Sequence, residues 1–455
     1  MKQKVIAVFD IGKTNKKFLL FDEALNVVFQ QEEKFDAILD DDGDECDDIE
    51  KIEAWIHQSL KEKTSDDRYE VMGMNFSTYG ASLAFLDKNQ HRLTPLYDYL
   101  KNIPQHISEN LYEQYGGKDE FCRKTASPAL GHMLNSGMQI LWLKEQKPAV
   151  YEKITDVLHF PQYLSHLFTK RVLSEHTSVG CHTAMWDFDN MQYHRWLSDH
   201  NIMLPNPSPN DTVIECNVNG EKLKVGTGIH DSSSSLVPYM VSATEKFILI
   251  STGTWCINMN PYNYEPLTSE ELEQDCLCYL SIDEKPVKSS RLFMGHIHDA
   301  NVARLTKFFS VSEDAYKKVN AELSVLRKFF AKDNYVFFEN GLADDYVDRV
   351  VDLAQFNDFS EAYHRLMFDL TRLNVEKIKL VLTREDDVKR LYVSGGFARN
   401  EIYVKLLAGF FPDKEVYTTQ VENSSALGAA LSIWDVMEKD VPDVGLDLKK
   451  WSFRV

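Results

Sequence analysis

Several features that would place the protein in a special class are missing from its sequence. No run of apolar residues approaches the roughly 18 that a membrane-spanning helix needs, so no transmembrane segment and no membrane partner are expected. The chain runs from Met1 directly into a strand-like stretch and lacks the apolar core and small-residue cleavage site of a signal peptide. These absences predict a cytoplasmic protein.

Cysteine is scarce and is not arranged for a structural role. The 7 cysteines are scattered along the chain, their number is odd and no CxxC pair occurs. The spacing therefore supports neither a zinc site nor a disulfide framework. Reduced thiols are the expected state.

Positive charge is also in short supply. The chain has 50 Lys and Arg residues against 70 Asp and Glu residues, which gives a formal net charge of −20. A field of that sign repels a phosphate backbone, so nucleic acid is excluded as an expected partner. A nucleotide ligand would have to be held locally, by backbone amides and Mg²⁺.

The length of 455 residues fits two or three domains. A strand, a turn and a returning strand are predicted at residues 5–21 and again at 246–259, which suggests a duplicated architecture. Predicted strands alternate with helices, so the fold class is α/β. The boundary is expected near residues 238–246, which divides the chain into domains of residues 1–240 and 241–455.

Helical periodicity is clearest in four segments, where apolar residues recur every three or four positions. The predicted helices are Asp48–Lys61, Ser136–Glu145, Phe359–Leu382 and Asn400–Phe410. The last of these follows a predicted strand at Val388–Ser394.

The turn Asp10-Ile-Gly-Lys-Thr-Asn15 follows the first strand and imitates the end of a P-loop. A P-loop would require glycine at position 7, where the chain has Ala7 inside the strand, so a P-loop is excluded. The short turn can still bind phosphate, since Gly12 lets backbone N–H groups approach and Thr14 and Asn15 offer side chains. Asp10 can hold Mg²⁺, although an ordinary hairpin turn explains the same residues equally well.

Three further turns carry small or hydroxyl residues. Ser251-Thr-Gly-Thr254 could face the first turn and clamp a phosphate chain, and Gly395-Gly396 leaves room for a base or ribose against the backbone. Gly226-Thr-Gly-Ile-His-Asp231 leads into a helix start, where a carboxylate is stabilised in its charged form. Taken alone, Asp231 is more simply explained as the N-cap of that helix.

The acidic run Asp40–Asp48 raises the question of calcium. An EF-hand loop with Gly43 at its sixth position would begin at Ile38 and end at Ile49. Both positions need carboxylate ligands, so a calcium loop of this kind is excluded.

Together these segments resemble the FGGY carbohydrate kinase family of the actin/Hsp70/sugar-kinase superfamily. The resemblance extends over nearly the whole chain. It rests on Asp10-Ile-Gly-Lys-Thr-Asn15, Gly228-Ile-His-Asp231, Ser251-Thr-Gly-Thr-Trp255, Ser394-Gly-Gly396 with Asn400, and Ala426-Leu-Gly-Ala-Ala430.

The resemblance implies two ribonuclease H-like domains with ATP and a small sugar in the cleft between them. It also implies that Asp231 is the catalytic base and that Asp10 serves Mg²⁺. The residues implied in binding ATP and its phosphates are Gly12, Lys13, Thr14, Asn15, Lys16, Thr252, Gly253, Thr254, Gly395, Gly396 and Asn400. The residues implied in binding the sugar are Tyr79, Gly80, Ser82, His230 and Asp231.

Within the family the chain resembles the L-rhamnulose and L-fuculose kinase group. The segments that carry this likeness are 76–87, 158–169, 175–178 and Phe293-Met-Gly295. Tyr79 stands where tryptophan is common, Ser82 where aspartate is usual, Lys170 where glycine is usual and Asn423 where many members have glutamate. The first two departures leave the identity of the sugar open, with xylulose and ribulose as further alternatives.

The resulting hypothesis is an ATP-dependent kinase that phosphorylates a terminal hydroxyl of a small ketose. Two alternatives are a non-catalytic or regulatory ATP-binding clamp of the same superfamily and an actin-like polymer. The sequence leaves open the sugar, the hydroxyl and the oligomeric state, although dimers are common among such kinases.

Overall fold

The computed structural model describes residues 2–218, 220–332 and 334–454. Its strands are, in chain order, β1 Gln3–Ile11, β2 Lys16–Asp22, β3 Val27–Glu33, β4 Ile38–Leu39, β5 Glu45–Cys46, β6 Tyr69–Thr78, β7 Leu83–Leu86, β8 Asp156–His159, β9 Ser174–Glu175, β10 Trp186–Asp187, β11 Gln192–Tyr193, β12 Pro207–Ser208, β13 Val213–Val218, β14 Glu221–Gly226, β15 Ile229–His230, β16 Phe247–Thr252, β17 Cys256–Asn260, β18 Cys276–Leu280, β19 Pro286–Leu292, β20 Arg390–Gly395, β21 Glu415–Thr418 and β22 Lys449–Trp451.

The α-helices connect and cover these strands. They are α1 Ile49–Thr64, α2 Gln105–Gln114, α3 Lys118–Thr125, α4 Gly137–Gln146, α5 Pro148–Tyr151, α6 Phe160–Thr169, α7 His176–Val179, α8 Trp196–Asp199, α9 Asp231–Ser242, α10 Ser269–Glu273, α11 Met294–Phe309, α12 Leu323–Phe330, α13 Phe359–Val381, α14 Glu401–Phe410 and α15 Ser424–Ser432. In the described part of the chain, none of the helices combines the length and the apolar character that crossing a bilayer requires.

The first large sheet has the order β13-β14-β6-β1-β2-β3, and β15 also pairs with β6. Strand β1 is antiparallel to β2 and parallel to β6, which lies between β1 and β15. Residues 5–9 are fully buried because β1 is a central strand with both faces covered. The carboxyl ends of β1, β6 and β15 therefore meet at one edge of the sheet.

The second large sheet repeats this design, with the order β18-β19-β17-β16-β20-β21-β22. Strand β16 is antiparallel to β17 and parallel to β20, just as β1 is antiparallel to β2 and parallel to β6. The duplicated strand–turn–strand architecture expected from residues 5–21 and 246–259 is thus present as two corresponding sheets.

The helices predicted from periodicity are confirmed as α1, α4, α13 and α14. Helices α1, α4 and α14 begin one residue after the predicted start, since Asp48, Ser136 and Asn400 are their N-caps, and the Asp48 and Asn400 side chains accept backbone N–H bonds. Lys170, the departure from the usual glycine, ends α6 with φ of 53°. That left-handed conformation explains why glycine is common there.

Helix α15 joins the two halves of the chain. Its apolar face packs on the first sheet, against Ile6 and Val8 of β1, although its residues come near the end of the sequence. It crosses α9 so closely that a Cβ on Gly428 would lie 1.8 Å from the carbonyl oxygen of Ser234. The Ser234 hydroxyl donates to the Ser425 carbonyl at 2.6 Å and fixes this crossing.

The acidic run 40–48 is neutralised by lysine side chains. The Lys101 ammonium lies 2.7 Å from Asp42, 3.0 Å from Asp44 and also bonds to Asp40. Lys147 binds Asp42 from the other side at 2.9 Å. These contacts provide the charge compensation that an ion would otherwise supply.

Candidate active site

Asp10 is the last acidic residue of β1 and lies at the edge where the parallel strands end. Its carboxylate accepts a hydrogen bond from the Ser425 hydroxyl of α15 at 2.8 Å. The side chain is buried, and burial raises the pKa of Asp10 to about 6. The hydrogen bond from Ser425 acts in the opposite direction and lowers this pKa. The first turn of α15 thus supports the end of the first strand of the chain.

Asp231 is positioned by a sharp turn before β15. Gly228 has φ of 85°, and a Cβ there would lie 2.5 Å from the carbonyl oxygen of Pro161, so only glycine fits. The Gly228 N–H donates to the Asn75 side chain at 3.0 Å. Strand β15 then pairs with Ser77 and Thr78 of β6, and α9 begins at once with Asp231.

The explanation of Asp231 as a helix cap is wrong. His230 occupies the N-cap position of α9, and Asp231 is the first residue inside the helix. A carboxylate in the first turn interacts favourably with the positive end of the helix dipole. The carboxylate is a third exposed (33%), which leaves it accessible from the edge of the sheet.

The surroundings of Asp231 make its carboxylate a suitable proton acceptor near neutral pH. Desolvation by burial raises the pKa of Asp231 to about 6, while hydrogen bonds from Ser232 lower it. The Ser232 hydroxyl donates at 3.2 Å, and the His230 Nε2 lies 3.3 Å from the carboxylate. Burial lowers the pKa of His230 to about 4, so this imidazole is neutral at pH 7.

Asp10 and Asp231 lie at neighbouring strand ends. Asp10 pairs with Ser77 on one side of β6, and Ile229 pairs with the same Ser77 on the other side. Two strand spacings put the backbones at positions 10 and 229 about 10 Å apart. The charge of Asp231 contributes to the raised pKa of Asp10, so the two carboxylates interact electrostatically.

The turn between β1 and β2 is tight. The Gly12 N–H donates to the Asn15 carbonyl at 3.0 Å, and a Cβ on Gly12 would crowd that oxygen. Thr14 is exposed at the tip. The Asn15 Oδ1 is buried and, among the described residues, has no hydrogen-bond partner. Phosphate contact by Gly12, Thr14 and Asn15 stays a prediction.

The two lysines of this turn are engaged by carboxylates of the protein itself. The Lys13 ammonium lies 2.7 Å from Asp47 and 2.6 Å from Asp98. Lys16 is only 1% exposed, and it bonds to Asp47 and to the Lys13 carbonyl, both at 2.9 Å. Binding of ATP phosphates by Lys13 and Lys16 would therefore compete with these ion pairs, and it stays a prediction.

The corresponding turn of the second sheet joins β16 to β17. Gly253 and Thr254 are exposed, and the Gly253 N–H closes the turn on the Trp255 carbonyl at 2.9 Å. The Thr252 hydroxyl bonds to the Ser394 carbonyl and accepts the Phe397 N–H at 3.0 Å. Thr252 thus ties the end of β16 to the end of β20.

The glycine pair after β20 has one crowded and one open member. Gly395 has φ of 82°, and a Cβ there would lie 1.9 Å from the Thr252 carbonyl oxygen. A Cβ on Gly396 would meet nothing nearer than 4.0 Å. Asn400 caps α14 and donates to the Tyr363 hydroxyl at 2.9 Å, so its side chain already has partners in the protein.

A small recess lies beside His230, the residue that precedes Asp231. The space in it that a water molecule can occupy is about 10 Å³, and its lining includes the predicted sugar residues Tyr79, Gly80, Ser82 and His230. The Tyr79 hydroxyl donates to Asp47 at 2.7 Å, which links the wall of the recess to the network of Lys13 and Lys16. Its size restricts this recess to a ligand far smaller than a nucleotide.

Several residues of the site were not predicted from the sequence. His159 and Ser178 line the recess, Asp47 holds the two turn lysines, and Ser425 supports Asp10. Segments 158–169 and 175–178 carry the likeness to the kinase group, but no role was predicted for these individual residues. Only the fold brings these side chains to the strand ends.

The residues fit a divalent cation at the sheet edge. Oxygen ligands suit Mg²⁺, and a cation beside Asp10 would compensate the negative charge that Asp10 and Asp231 share. The raised pKa of Asp10, caused mainly by burial, indicates a carboxylate whose charged form lacks full compensation within the protein.

Comparison with known proteins gives the site its context. The sequence pattern described as the FGGY family of carbohydrate kinases, N-terminal domain, matches residues 5–206. A rhamnulokinase from Oceanobacillus iheyensis is 27% identical over 227 residues, which cover 47% of this chain and 46% of that protein. The chain spans about half the length of the curated relatives that it matches.

Solved structures resemble the chain over its whole length. A carbohydrate kinase from Novosphingobium aromaticivorans superposes with a TM-score of 0.80 at 21% identity, covering 100% of this chain and 95% of that one. A ligand-bound xylulose kinase from Lactobacillus acidophilus gives 0.73 at 16% identity, covering 99% and 94%. The fold is therefore the ribonuclease H-like, two-sheet α/β architecture predicted from the sequence.

Proposed function

Because residues 5–206 belong to the FGGY family of carbohydrate kinases, we propose that the protein transfers the γ-phosphate of ATP to a terminal hydroxyl of a small ketose. The observation that carries the proposal is the position of Asp231. It follows His230, which lines the recess of the predicted sugar residues, and it lies near the edge where Asp10 and the β1–β2 turn meet. The same arrangement would be unnecessary in a clamp that only binds ATP.

The recess would bind the sugar so that its reacting hydroxyl lies against Asp231. Tyr79 and Gly80 form one wall, and His230 separates the recess from the base. Since His230 is neutral at pH 7, it can hydrogen-bond a hydroxyl without competing for the proton. Asp231, ionised above about pH 6, would accept the proton of the attacking hydroxyl.

The two glycine-containing turns would hold the triphosphate. The turn at Gly12–Asn15 and its counterpart at Thr252–Thr254 belong to corresponding hairpins of the two sheets. Backbone N–H groups and hydroxyls at these turns can bind phosphate oxygens without a strongly basic surface. The open face of Gly396 leaves room for the adenosine against the backbone.

The reaction is then an in-line displacement. The sugar oxygen forms a bond to the γ-phosphorus, the bond from that phosphorus to the β,γ-bridging oxygen breaks, and the proton passes to Asp231 while ADP leaves. Asp10 would hold Mg²⁺, which supplies charge neutralisation of the phosphates when bound. Closing the two halves over the cleft would exclude water and limit hydrolysis of ATP.

A ketose of the L-rhamnulose or L-fuculose type is the favoured substrate, and L-xylulose, D-xylulose or ribulose are alternatives. Support comes from the curated relatives that are named rhamnulokinase, at 24–27% identity. Among the recess residues, Tyr79 and Ser82 are the departures from the group's pattern that bear on the sugar site.

The proposal is tested by incubating the protein with ATP, Mg²⁺ and each member of a panel of ketoses and polyols. ADP release and the appearance of a sugar phosphomonoester by ³¹P NMR are measured together. We expect both signals with at least one ketose and little ADP without sugar. ADP release that is independent of every sugar, or no release at all, would contradict the proposal and favour the clamp.

A further inference from the structure

The recess beside Asp231 contains buried polar groups that the described part of the protein leaves wholly or partly without partners. The His159 Nε2 and the His230 Nδ1 have no hydrogen-bond partner among the described residues, and the Ser82 hydroxyl interacts with the Tyr79 hydroxyl. His159, His230 and Ser82 line the recess and are at least nine-tenths buried, with exposures of 7%, 6% and 2%. A buried polar group without a partner costs about 1–3 kcal/mol, so such a cluster indicates a place built for a polar ligand.

His159 has no evident role in holding the fold together. It is the N-cap residue of α6, but its side chain makes no capping hydrogen bond. Its backbone pairs with Leu83 across the β7–β8 ladder, and the neighbouring Phe160 N–H donates to the Ser82 carbonyl at 3.1 Å. These backbone contacts use neither side chain, and both His159 and Ser82 line the recess.

The His159 ring is uncharged at neutral pH. Burial, together with the nearby His230, lowers the pKa of His159 to about 4. A neutral imidazole offers one nitrogen as a donor and the other as an acceptor, which suits a hydroxyl. It is a poor proton acceptor at pH 7, so His159 does not compete with Asp231 for the role of base.

The polar atoms of the recess also suit the hydroxyl groups that a sugar presents. A ketose bound with one hydroxyl against Asp231 carries further hydroxyls along its chain, each able to donate and accept. An apolar ligand would leave these atoms unsatisfied. A phosphorylated ligand would bring a negative charge, and the recess lining contains no lysine or arginine to balance it. The chemistry of the recess therefore selects an uncharged polyhydroxyl compound.

We propose that His159 and Ser82 bind substrate hydroxyls other than the one that reacts, and that this pair sets which ketose the enzyme accepts. The inference rests on the proposed kinase function. In this account Ser82 and His159 together recognise the sugar by hydrogen bonds to its hydroxyl groups. Sites built to hydrogen-bond a hydroxyl strongly reject analogues that lack it, because their own buried groups then stay unpaired.

Two variants test the pair, each with a matched control. His159→Gln is compared with His166→Gln, since His166 lies in the same helix, is 2% exposed and bonds its Nδ1 to the Arg171 carbonyl at 3.0 Å. Ser82→Ala is compared with Ser136→Ala, since Ser136 also buries its hydroxyl but lies outside the recess lining. Each protein is measured for the KM and kcat of the best ketose, the KM of ATP, and the thermal shift that this ketose produces.

We expect His159→Gln and Ser82→Ala to raise the KM of the ketose about 10- to 100-fold, the range that losing one or two hydrogen bonds predicts. The KM of ATP should stay within about twofold, and the thermal shift by the ketose should shrink. Each variant should also discriminate less between the ketose and its analogue lacking one hydroxyl. Both control variants should keep the wild-type KM, although His166→Gln lowers the melting temperature.

The outcomes separate this inference from the function on which it rests. If the wild-type protein phosphorylates a ketose but both variants keep its KM and selectivity, the inference is wrong and the kinase function stands. If the wild-type protein phosphorylates no sugar of the panel and none shifts its melting temperature, the function fails and the inference falls with it. Ser82→Ala removes a single oxygen atom, so it still decides the question if His159→Gln does not fold.

Discussion

Asp10 and Asp231 lie on opposite sides of one strand, at the two strand ends that flank Ser77 of β6, and the charge of Asp231 helps to raise the pKa of Asp10. Each carboxyl has a pKa of about 6, chiefly because burial disfavours its charged form. Two carboxylates in this state are stabilised when a proton, a cation or a substrate hydroxyl binds to them. The predictions below follow from that property and from the turns that surround it.

The first prediction concerns the pH dependence of the reaction. Asp231 must be ionised to accept a proton, and its pKa of about 6 means that this form is lost as the pH falls. We expect kcat/KM for the ketose to be flat above about pH 7 and to fall by nearly tenfold per pH unit below about pH 5, which is the limiting slope for one ionising group. ³¹P NMR of the sugar phosphate follows the rate without coupling enzymes, and a profile that stays flat to pH 4.5 would be inconsistent with Asp231 as the base.

The second prediction concerns stability. Asp10 has a pKa of about 6 in the folded protein against an ordinary 3.8, so between about pH 4 and pH 6 the folded state holds more protons than the unfolded chain. Its burial therefore destabilises the fold increasingly as the pH rises through that window. Asp10→Asn should raise the free energy of unfolding by about 1–3 kcal/mol at pH 7 and change it little at pH 4.

Urea unfolding of both proteins at the two pH values measures this effect. Ser425→Ala is the control, because it removes the hydrogen bond to Asp10 at 2.8 Å and keeps the carboxylate. That variant should be less stable than the wild type at pH 7. The difference in free energy of unfolding between Asp10→Asn and the wild type is compared at the two pH values. If this difference is less favourable to the variant at pH 7 than at pH 4, burial is not what raises the pKa of Asp10.

The third prediction separates the two glycines after β20. Gly395→Ala should cost at least about 2 kcal/mol, because its Cβ would lie 1.9 Å from the Thr252 carbonyl oxygen and φ of 82° disfavours any side chain. Gly396→Ala meets nothing within 4.0 Å, so the free energy of unfolding should change by less than about 0.5 kcal/mol. If adenosine lies over Gly396, this stable variant should still raise the KM of ATP, and an unchanged KM would place the nucleotide elsewhere.

The fourth prediction concerns the network behind the first turn. Asp47 accepts bonds from Lys13, from Lys16 and from the Tyr79 hydroxyl, and Lys16 is almost fully buried. Asp47→Asn leaves the Lys16 ammonium without its only carboxylate partner in the described structure, which typically costs about 3–5 kcal/mol. Urea unfolding measures the loss.

Asp98→Asn provides the comparison for that variant. Among the described residues, Asp98 forms an ion pair only with Lys13, which is a third exposed and keeps its bond to Asp47. This substitution should cost about 1 kcal/mol or less. Equal losses for the two variants would mean that the burial of Lys16 does not govern the energy of the network.

Much of the fold could be predicted from the sequence because its signals are local. The apolar runs of β1 and β16, and the spacing of α13, depend only on periodicity, and the structure confirms them. The small residues of Ala426–Ala430 allow close helix packing, as the Gly428–Ser234 contact shows.

The site was less predictable because its side chains are assigned by contacts between distant segments. Lys13 and Lys16 sit in a turn that suggests phosphate, yet carboxylates at positions 47 and 98 engage their ammonium groups. The N-cap explanation of Asp231 fitted the local sequence, but the β15–β6 pairing gives the cap position to His230. His159 lies in a segment that carries the family likeness, but its place in the lining of the recess with Ser82 is set by the fold.

The most direct test of the account compares the rate of ketose phosphorylation by the wild-type protein and by Asp231→Asn. The substitution keeps the size of the side chain and removes its ability to accept the proton. We predict that kcat falls at least about 100-fold, that the KM of ATP changes by less than about threefold, and that the melting temperature is equal or higher because a desolvated charge is lost. A variant that keeps more than about a tenth of the wild-type rate would show that Asp231 is not the base.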